Sequence, residues 1–206
     1  VLYSGVNETF KPVGDAAPLQ AVRARYGLGQ RPFILAVGTL QPRKNYARLI
    51  RAFAQIGEAD LALVIAGGRG WLYDEIFAEV QRLGLGPRVI FPGFVADQDL
   101  PALYSAAAVL AYPSIYEGFG LPILEAFACG TPVVSSNASC LPEVAGDAAL
   151  LIDPTDVAAL AEALTRALTD TALRAQLTAA GLARAQQFTW QAAAQQLLAE
   201  YRALTV

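Results

Sequence analysis

The segment YPSIYEGFGLPILEAFACGTPVV, residues 112–134, decides the fold of this 206-residue chain. Apolar runs of strand character flank its centre, at residues 109–112 and 132–135. Between them, the loop of residues 118–120 precedes Pro122, which suits the start of a helix because its missing N–H would be unpaired there anyway. The segment therefore predicts strand, tight loop, helix and strand, which together make one parallel βαβ unit.

Two carboxylates belong to this unit. Seven residues separate Glu117, in the loop, from Glu125, about one turn into the predicted helix. Open α/β sheets bind ligands at the carboxyl ends of their strands, where this loop lies. Because helical Cα–Cβ bonds tilt toward the N-terminus, Glu125 can lean back toward the loop, and the free N–H groups of the helix start favour an anion. The pattern predicts donors for an anion beside acceptors for hydroxyls, and a nucleoside diphosphate sugar presents both.

Strand-like runs alternate with helical patterns along the whole chain, which predicts an α/β fold with a Rossmann-like, doubly wound parallel sheet. The predicted strands lie near residues 33–38, 62–66, 88–92, 109–113, 132–136 and 149–152. The predicted helices lie near residues 45–57, 71–83, 98–107, 122–129, 156–168, 171–186 and 190–204. Thr189 is predicted to cap the last of these helices.

Composition narrows the function classes. The chain is 55 % apolar and 16 % charged, its length suits one domain, and its net charge of −3 argues against a general nucleic-acid binder. No apolar stretch is long enough for a membrane span. Histidine is absent, which excludes Ser-His and Cys-His nucleophiles and histidine metal clusters. Two cysteines, Cys129 and Cys140, are too few for a disulfide framework, so we expect reduced thiols and a cytoplasmic protein.

The spacing of the two glutamates within EGFGLPILEAFACGTPVV resembles the donor-binding signature of retaining glycosyltransferases of family 4, which have the two-domain GT-B fold. FILAVGTLQPRKN, residues 33–45, resembles the family's first strand and phosphate-facing loop. VIFPGFV, residues 89–95, is similar to its base-binding strand, and residues 141–144 and 188–190 match later landmarks. The resemblance covers nearly the whole chain in the family's order.

The resemblance implies roles for particular side chains. Glu117 would contact the transferred sugar and stabilise charge at its anomeric carbon, while Arg43 and Lys44 would hold the diphosphate. Glu125 would accept hydrogen bonds from the ribose hydroxyls. The alternatives are a solvated loop acid for Glu117, a solvated basic pair for Arg43 and Lys44, and an acid favoured only by the helix dipole for Glu125.

Backbone and apolar groups complete the implied donor site. Its remaining members are Gly38, Thr39, Phe94, Val95, Gly118, Phe119, Gly120 and Leu121. Thr39 departs from many family members, which have arginine there. The glycine-rich residues 67–70 are either part of the site or only a turn. Trp71 and Trp190 are expected to be packing residues.

The resemblance also implies a domain organisation. Residues 1–206 would form a single nucleotide-sugar-binding domain, the C-terminal half of a GT-B enzyme, with extra C-terminal helices. Residues 1–12 would be the inter-domain connector, and residues 189–206 a helix that crosses back to an N-terminal acceptor domain absent here. A chain that lacks methionine altogether fits an excised part of a longer protein, and we expect it to be inactive alone.

The implied function is transfer of a hexosyl group to an acceptor hydroxyl in polysaccharide or lipopolysaccharide synthesis. The segment GTLQPRKN, residues 38–45, favours mannosyl transfer from GDP-mannose, with UDP-linked donors as the alternative. No metal or other cofactor is expected. The partners would be the donor, the acceptor domain and a glycan or lipid-linked acceptor. The protein would be cytoplasmic and would reach the inner membrane through the absent domain. A stand-alone sugar-nucleotide-binding module and a GT-B epimerase-like domain remain alternatives.

Overall fold

The chain folds around one parallel sheet of six strands. The computed structural model describes residues 2–204, so the ends of the predicted connector and crossing helix, at Val1 and at Thr205 and Val206, lie outside the described residues. The strands are β1 (Phe33–Val37), β2 (Ala62–Ala66), β3 (Val89–Gly93), β4 (Val109–Tyr112), β5 (Val133–Ser136) and β6 (Ala149–Ile152). Their order is β3-β2-β1-β4-β5-β6. The six predicted strands and the Rossmann-like fold class are confirmed.

The helices cover both faces of the sheet. They are α1 (Ala16–Arg25), α2 (Tyr46–Gln55), α3 (Asp74–Arg82), α4 (Leu100–Ala106), α5 (Leu121–Ala128), α6 (Leu141–Ala145), α7 (Val157–Thr169), α8 (Thr171–Ala185) and α9 (Trp190–Leu204). Seven were predicted. The sequence did not predict α1, in which only Val22 is buried, or α6, which is five residues long. Neither helix has the periodic apolar face that indicates a helix in sequence.

The core has two layers because successive strand residues point to opposite faces of the sheet. Phe33 and Leu35 of β1 belong to the cluster that includes Phe127 of α5. Ile34 and Ala36 belong to the other cluster, with residues of α2 and α7. Burial on both faces explains why these strands read as continuous apolar runs instead of alternating patterns.

Helix α5 is held close to α8 by a glycine. A Cβ atom added at Gly181 would lie 2.7 Å from Cδ1 of Phe127, whose side chain is fully buried. The absence of a side chain at Gly181 therefore sets the approach of the two helices. Through this contact α8 fixes α5, the helix that carries Glu125.

The N-terminal segment packs against the beginning of α9. The Val6 N–H donates to the Phe188 carbonyl at 2.9 Å, and Thr189 caps α9 as predicted, its Oγ1 accepting from the Ala192 N–H at 3.0 Å. The packing role predicted for Trp71 and Trp190 is wrong: both are more than half exposed. Trp71 lies in the irregular turn before α3, and Trp190 opens a helix with no buried residue. No helix within residues 2–204 combines the length and apolar character needed to cross a membrane.

Candidate functional site

The site lies where the strand order reverses. After β1 the chain moves outward to β2 and β3, then returns to place β4 on the other side of β1. Ligands of open α/β sheets bind at this switch point. Here the loop after β1 meets the loop after β4, because the Ile115 N–H donates to the Arg43 carbonyl at 2.8 Å.

Asn45 locks the two loops together. Its Nδ2 donates to the Pro113 carbonyl at 3.0 Å and to the Pro154 carbonyl at 2.7 Å, so it joins the loops after β1, β4 and β6. Its φ of 62° is left-handed, a conformation that asparagine tolerates better than most residues. No role was predicted for Asn45, which ends the segment 33–45 that resembles the first strand and loop of the family.

The three residues predicted to be catalytic form one charged cluster. The Lys44 Nζ lies 2.8 Å from Glu117 Oε1 and donates to the Tyr112 hydroxyl at 2.9 Å. Arg43 Nη1 pairs with Glu117 Oε2 and also donates to the Tyr116 carbonyl at 3.0 Å. Lys44 and Glu117 are buried, whereas the Arg43 side chain is 40 % exposed. The solvated-pair and solvated-acid interpretations of Lys44 and Glu117 are therefore wrong.

Burial and charge pull the pKa values of this cluster in opposite directions. Burial favours the neutral form of Glu117, but the Lys44 ammonium, followed by the Ser114 hydroxyl and Arg43, outweighs it and lowers the Glu117 pKa. Burial lowers the Lys44 pKa, although Glu117 opposes part of that shift. Burial also raises the Tyr112 pKa, so its phenol stays neutral. Two cations and one carboxylate leave the cluster with a net positive charge.

The loop before α5 presents unused donors. The N–H groups of Gly118, Phe119, Gly120 and Leu121 make no hydrogen bond to any residue between 2 and 204. Gly120 needs to be glycine: its φ is 103°, and a Cβ there would lie 2.7 Å from Leu141 Cδ2. At Gly118 an added Cβ would meet nothing within 4 Å, so that position faces open space. Free N–H groups at a helix start suit an anionic ligand.

Two residues of the next loop hold this one in shape. Ser139 Oγ donates to the Glu117 carbonyl at 2.7 Å, and Cys140 Sγ lies 3.3 Å from the carbonyls of Glu117 and Phe119. Ser139 has a left-handed φ of 57°. The sequence gave no signal for these contacts because they join different crossover units.

Glu125 is the fifth residue of α5, about one turn into the helix. Pro122 is the second helical residue and not the first, because α5 begins at Leu121. Glu125 Oε2 accepts from the Tyr104 hydroxyl at 2.7 Å. Burial raises the Glu125 pKa and the charge of Asp97 adds to that effect, while the Tyr104 hydrogen bond opposes it. The carboxylate is therefore partly desolvated, and in the described part of the chain Tyr104 is the side chain that donates to it.

A cavity of about 180 Å³ opens beside these groups. The ends of β1, β2 and β3 form it, and its lining includes Gly38, Thr39, Phe94, Val95 and Asp97. Val95 is buried, but Phe94 is 75 % exposed, so its ring is available at the rim. A larger groove, of about 380 Å³, lies between the N-terminal segment and α9, and none of the predicted site residues lines it.

Glycines at the end of β2 support the loop after β1. A Cβ at Gly67 would lie 2.1 Å from the Gly38 carbonyl oxygen, which only glycine permits. The Leu40 N–H donates to the Gly68 carbonyl at 2.9 Å, and the Gly70 N–H donates to the Leu40 carbonyl at 3.0 Å. Residues 67–70 are thus more than a turn, because they fix the backbone that lines the cavity.

The structure brings the predicted site residues to one edge of the sheet, in three adjoining groups. Arg43, Lys44 and Glu117 are in direct contact, residues 118–121 and Glu125 lie at the start of α5, and the rest surround the cavity. Within residues 2–204, no three His, Cys, Asp or Glu side chains are grouped to hold a metal ion.

The family is settled by comparison. The family model described as glycosyl transferases group 1 matches residues 20–184. The chain belongs to this family. It is 42 % identical over 186 residues to O-antigen chain mannosyltransferase B of Escherichia coli, a match covering 89 % of this chain and 49 % of that protein.

Solved structures agree with the family. Sucrose-phosphate synthase from Thermosynechococcus elongatus matches at 37 % identity with a TM-score of 0.85, covering 98 % of this chain and 51 % of that one. HepE from Anabaena, solved in complex with UDP and glucose, matches at 28 % identity with a TM-score of 0.89, covering 98 % and 56 %. This group 1 domain thus has the fold of the C-terminal half of GT-B enzymes. The chain spans between about a quarter and a half of the length of the curated relatives it matches.

Proposed function

We propose that this group 1 domain binds the nucleotide-sugar donor of a retaining hexosyltransferase, with GDP-mannose as the donor. The observation that carries the proposal is the convergence, at the switch point of the sheet, of a positive cluster, free N–H donors, a half-buried carboxylate and a cavity. An NDP-sugar has a matching sequence of groups: base, vicinal diol, diphosphate and sugar. The name of the Escherichia coli relative, a mannosyltransferase, supports the mannosyl donor.

In this proposal the cavity lined by Phe94 and Val95, with Gly38 and Thr39, holds the base. Glu125 accepts hydrogen bonds from the two ribose hydroxyls, as a carboxylate can because each oxygen has two lone pairs. The N–H groups of residues 118–121 and the α5 dipole receive the diphosphate.

Arg43 and Lys44 stabilise the charge that develops on the leaving diphosphate. Positive groups that are already in place act without reorganisation, which makes such stabilisation effective in a partly dry site. Arg43 can bind phosphate oxygens bidentately, whereas Lys44 acts as a point charge. Glu117 faces the transferred sugar and stabilises positive charge near its anomeric carbon.

The reaction would exchange one bond at the anomeric carbon for another. The bond to the diphosphate oxygen breaks, the acceptor oxygen forms a bond on the same face of the sugar, and the acceptor proton passes to the released nucleoside diphosphate. No metal or other cofactor enters this scheme. The acceptor, a glycan or lipid-linked hydroxyl in polysaccharide or lipopolysaccharide synthesis, would be bound by a second domain, residues 1–12 and the last helix being the connections to it. The enzyme would act in the cytoplasm.

Calorimetric titration with GDP, UDP, GDP-mannose and UDP-glucose tests the proposal. We expect guanine nucleotides to bind more tightly than uracil nucleotides. We expect Glu125→Ala to weaken binding by roughly 1.5–3 kcal/mol, the range for hydrogen bonds to charged groups. Glu162→Ala, which removes an exposed carboxylate from α7, is the matched control. Equal affinity of the Glu125 variant and the unmodified chain would remove Glu125 from the site, and tighter binding of uracil nucleotides would refute GDP-mannose.

A further inference from the structure

Among residues 2–204, one buried phenol donates a hydrogen bond to the Glu125 carboxylate. Tyr104, on α4, is fully buried, and its hydroxyl donates to Glu125 Oε2 at 2.7 Å. We propose that Tyr104 is a positioning residue that presents the Glu125 carboxylate to the ribose diol, so that the site selects ribonucleotides over nucleotides lacking those hydroxyls. This inference rests on the proposed function, in which Glu125 binds the ribose.

The hydrogen-bond inventory supports this role. An ionised carboxylate has about four lone-pair positions, and Tyr104 occupies one of them on Oε2. Oε1 and the rest of Oε2 stay available for two hydroxyls. A glutamate side chain has three rotatable bonds, and the fixed phenol restricts its rotamer. In that rotamer the carboxylate is close enough to Asp97, which lines the cavity, for the Asp97 charge to raise the Glu125 pKa.

Tyr104 is itself anchored from two further sides. Its backbone carbonyl accepts from Thr131 Oγ1 at 2.8 Å, and the Phe10 ring packs edge-on against its ring at a centroid distance of 6.0 Å. The position of its hydroxyl is therefore set by α4 and by the chain after α5 together. A ring with this burial could be phenylalanine for packing alone, so the hydroxyl marks a polar task.

The alternative is that Glu125 only provides a hydrogen-bond acceptor for the buried Tyr104 hydroxyl, since buried polar groups generally require a partner. The two interpretations differ in what removal of the hydroxyl changes. If Tyr104 positions the carboxylate, its loss affects only ligands that use the ribose hydroxyls. If the hydrogen bond is only structural, loss of the hydroxyl lowers the stability of the fold and weakens the binding of all nucleotides equally.

The test is titration of the chain with GDP and with 2′,3′-dideoxy-GDP, before and after Tyr104→Phe. We expect the unmodified chain to prefer GDP, and Tyr104→Phe to reduce that preference by about fivefold or more, with the dideoxy affinity unchanged; one lost hydrogen bond of about 1 kcal/mol corresponds to that factor. Thr165→Val removes a hydroxyl that donates to the Ala161 carbonyl at 2.8 Å within α7, a helix with no residue in the proposed donor site, and should keep the preference. An unchanged preference in Tyr104→Phe overturns the inference.

Acid titration of binding provides a second readout. The Tyr104 hydrogen bond opposes the upward shift of the Glu125 pKa, so its removal raises that pKa further. GDP affinity should then be lost at a higher pH in Tyr104→Phe than in the unmodified chain, as the solution is acidified. The same midpoint in both proteins would contradict the inference, because it would show that the Tyr104 hydroxyl does not act on the carboxylate that binds the ribose.

Two further variants separate the possible failures. Glu125→Asp withdraws the carboxylate from the phenol while leaving the packing of Tyr104 intact, and should reproduce the loss of ribose preference even if Tyr104→Phe folds poorly. In a Glu125→Ala background, Tyr104→Phe should have no effect on GDP affinity; an additional loss would overturn the inference. If the unmodified chain shows no ribose preference at all, the proposed role of Glu125 fails, and the inference fails with it.

Discussion

Breaking the buried contact between Lys44 and Glu117 should lower the free energy of unfolding by several kcal/mol, and the effects of substituting the two residues should be coupled because their charges are paired. The two charged atoms are 2.8 Å apart and both side chains are less than a tenth exposed. With an effective dielectric constant of about 20, Coulomb's law gives an attraction of about 6 kcal/mol, most of which offsets the cost of removing both charges from water. Removing one partner leaves that cost without its compensation.

Glu117→Gln, Lys44→Met and the double variant make a thermodynamic cycle. We expect Glu117→Gln to lower the free energy of unfolding by about 3–5 kcal/mol, since it leaves Lys44 buried beside Arg43. Lys44→Met should cost less, about 2–3 kcal/mol, because the partly exposed Arg43 still pairs with Glu117. The double variant should be less destabilised than the sum of the single variants, by about 2 kcal/mol.

Urea denaturation of the ligand-free chain at neutral pH measures all four free energies. The pair Arg51–Glu75, at 3.3 Å with side chains 39 % and 70 % exposed, is the matched control, and its coupling should stay below about 1 kcal/mol. Additive effects at Lys44 and Glu117, within about 0.5 kcal/mol, would refute the reasoning.

The pH dependence of Glu117→Gln supplies an independent check. Burial already lowers the folded-state pKa of Lys44, and Glu117 opposes that shift, so its removal lowers the pKa further. The folded state then binds fewer protons than the unfolded state over a wider range below the unfolded lysine pKa, and stability rises with pH wherever that holds. The rise in the free energy of unfolding that accompanies lysine deprotonation should therefore begin at a lower pH in the variant than in the unmodified chain. Parallel pH profiles would contradict this.

Two further predictions concern the frame of the site. Gly67→Ala should destabilise the chain by about 3 kcal/mol or more and disturb the loop after β1, because its Cβ would overlap the Gly38 carbonyl. The control Gly68→Ala has open space around its Cβ and should cost no more than about 1 kcal/mol. Equal costs of the two variants in urea denaturation would show that the overlap at Gly67 is wrong. Hydrogen bonding to Arg82, with Arg51, lowers the Glu79 pKa to about 2, so its contribution is complete above the unfolded pKa and is lost as the pH falls toward 2. Glu79→Gln should lower the free energy of unfolding at neutral pH by roughly 1–2 kcal/mol, a modest amount because both arginines are substantially exposed. It should also reduce the loss of stability as the pH falls toward 2. An unchanged loss of stability in acid would assign that loss to other groups.

Local pattern predicted most of the fold. The strands were recognisable because each is a short apolar run buried on both faces, as Phe33–Val37 is. The turn into α5 was recognisable because Gly120 and Pro122 have backbone preferences that few other conformations satisfy. Helices α1 and α6 were missed because their burial depends on neighbours distant in sequence and leaves no periodic signal in the chain.

The sequence alone determined which chemical groups share the edge of the sheet. Glu117 and Glu125 belong to one βαβ unit, so their proximity to the same mouth follows from local structure. Arg43 and Lys44 follow another strand, and parallel strands end at a common edge. This much required no coordinates.

Only the tertiary structure decided which of those groups touch. Arg43 pairs with Glu117 across 74 positions because β1 and β4 are neighbours, and Tyr104 reaches Glu125 because α4 packs beside α5. The approach of Gly67 to Gly38 likewise requires two strands in register. Propensity and periodicity act over one or two turns of chain, whereas contacts, burial and pKa shifts depend on how whole elements pack, and packing is a property of the assembled core.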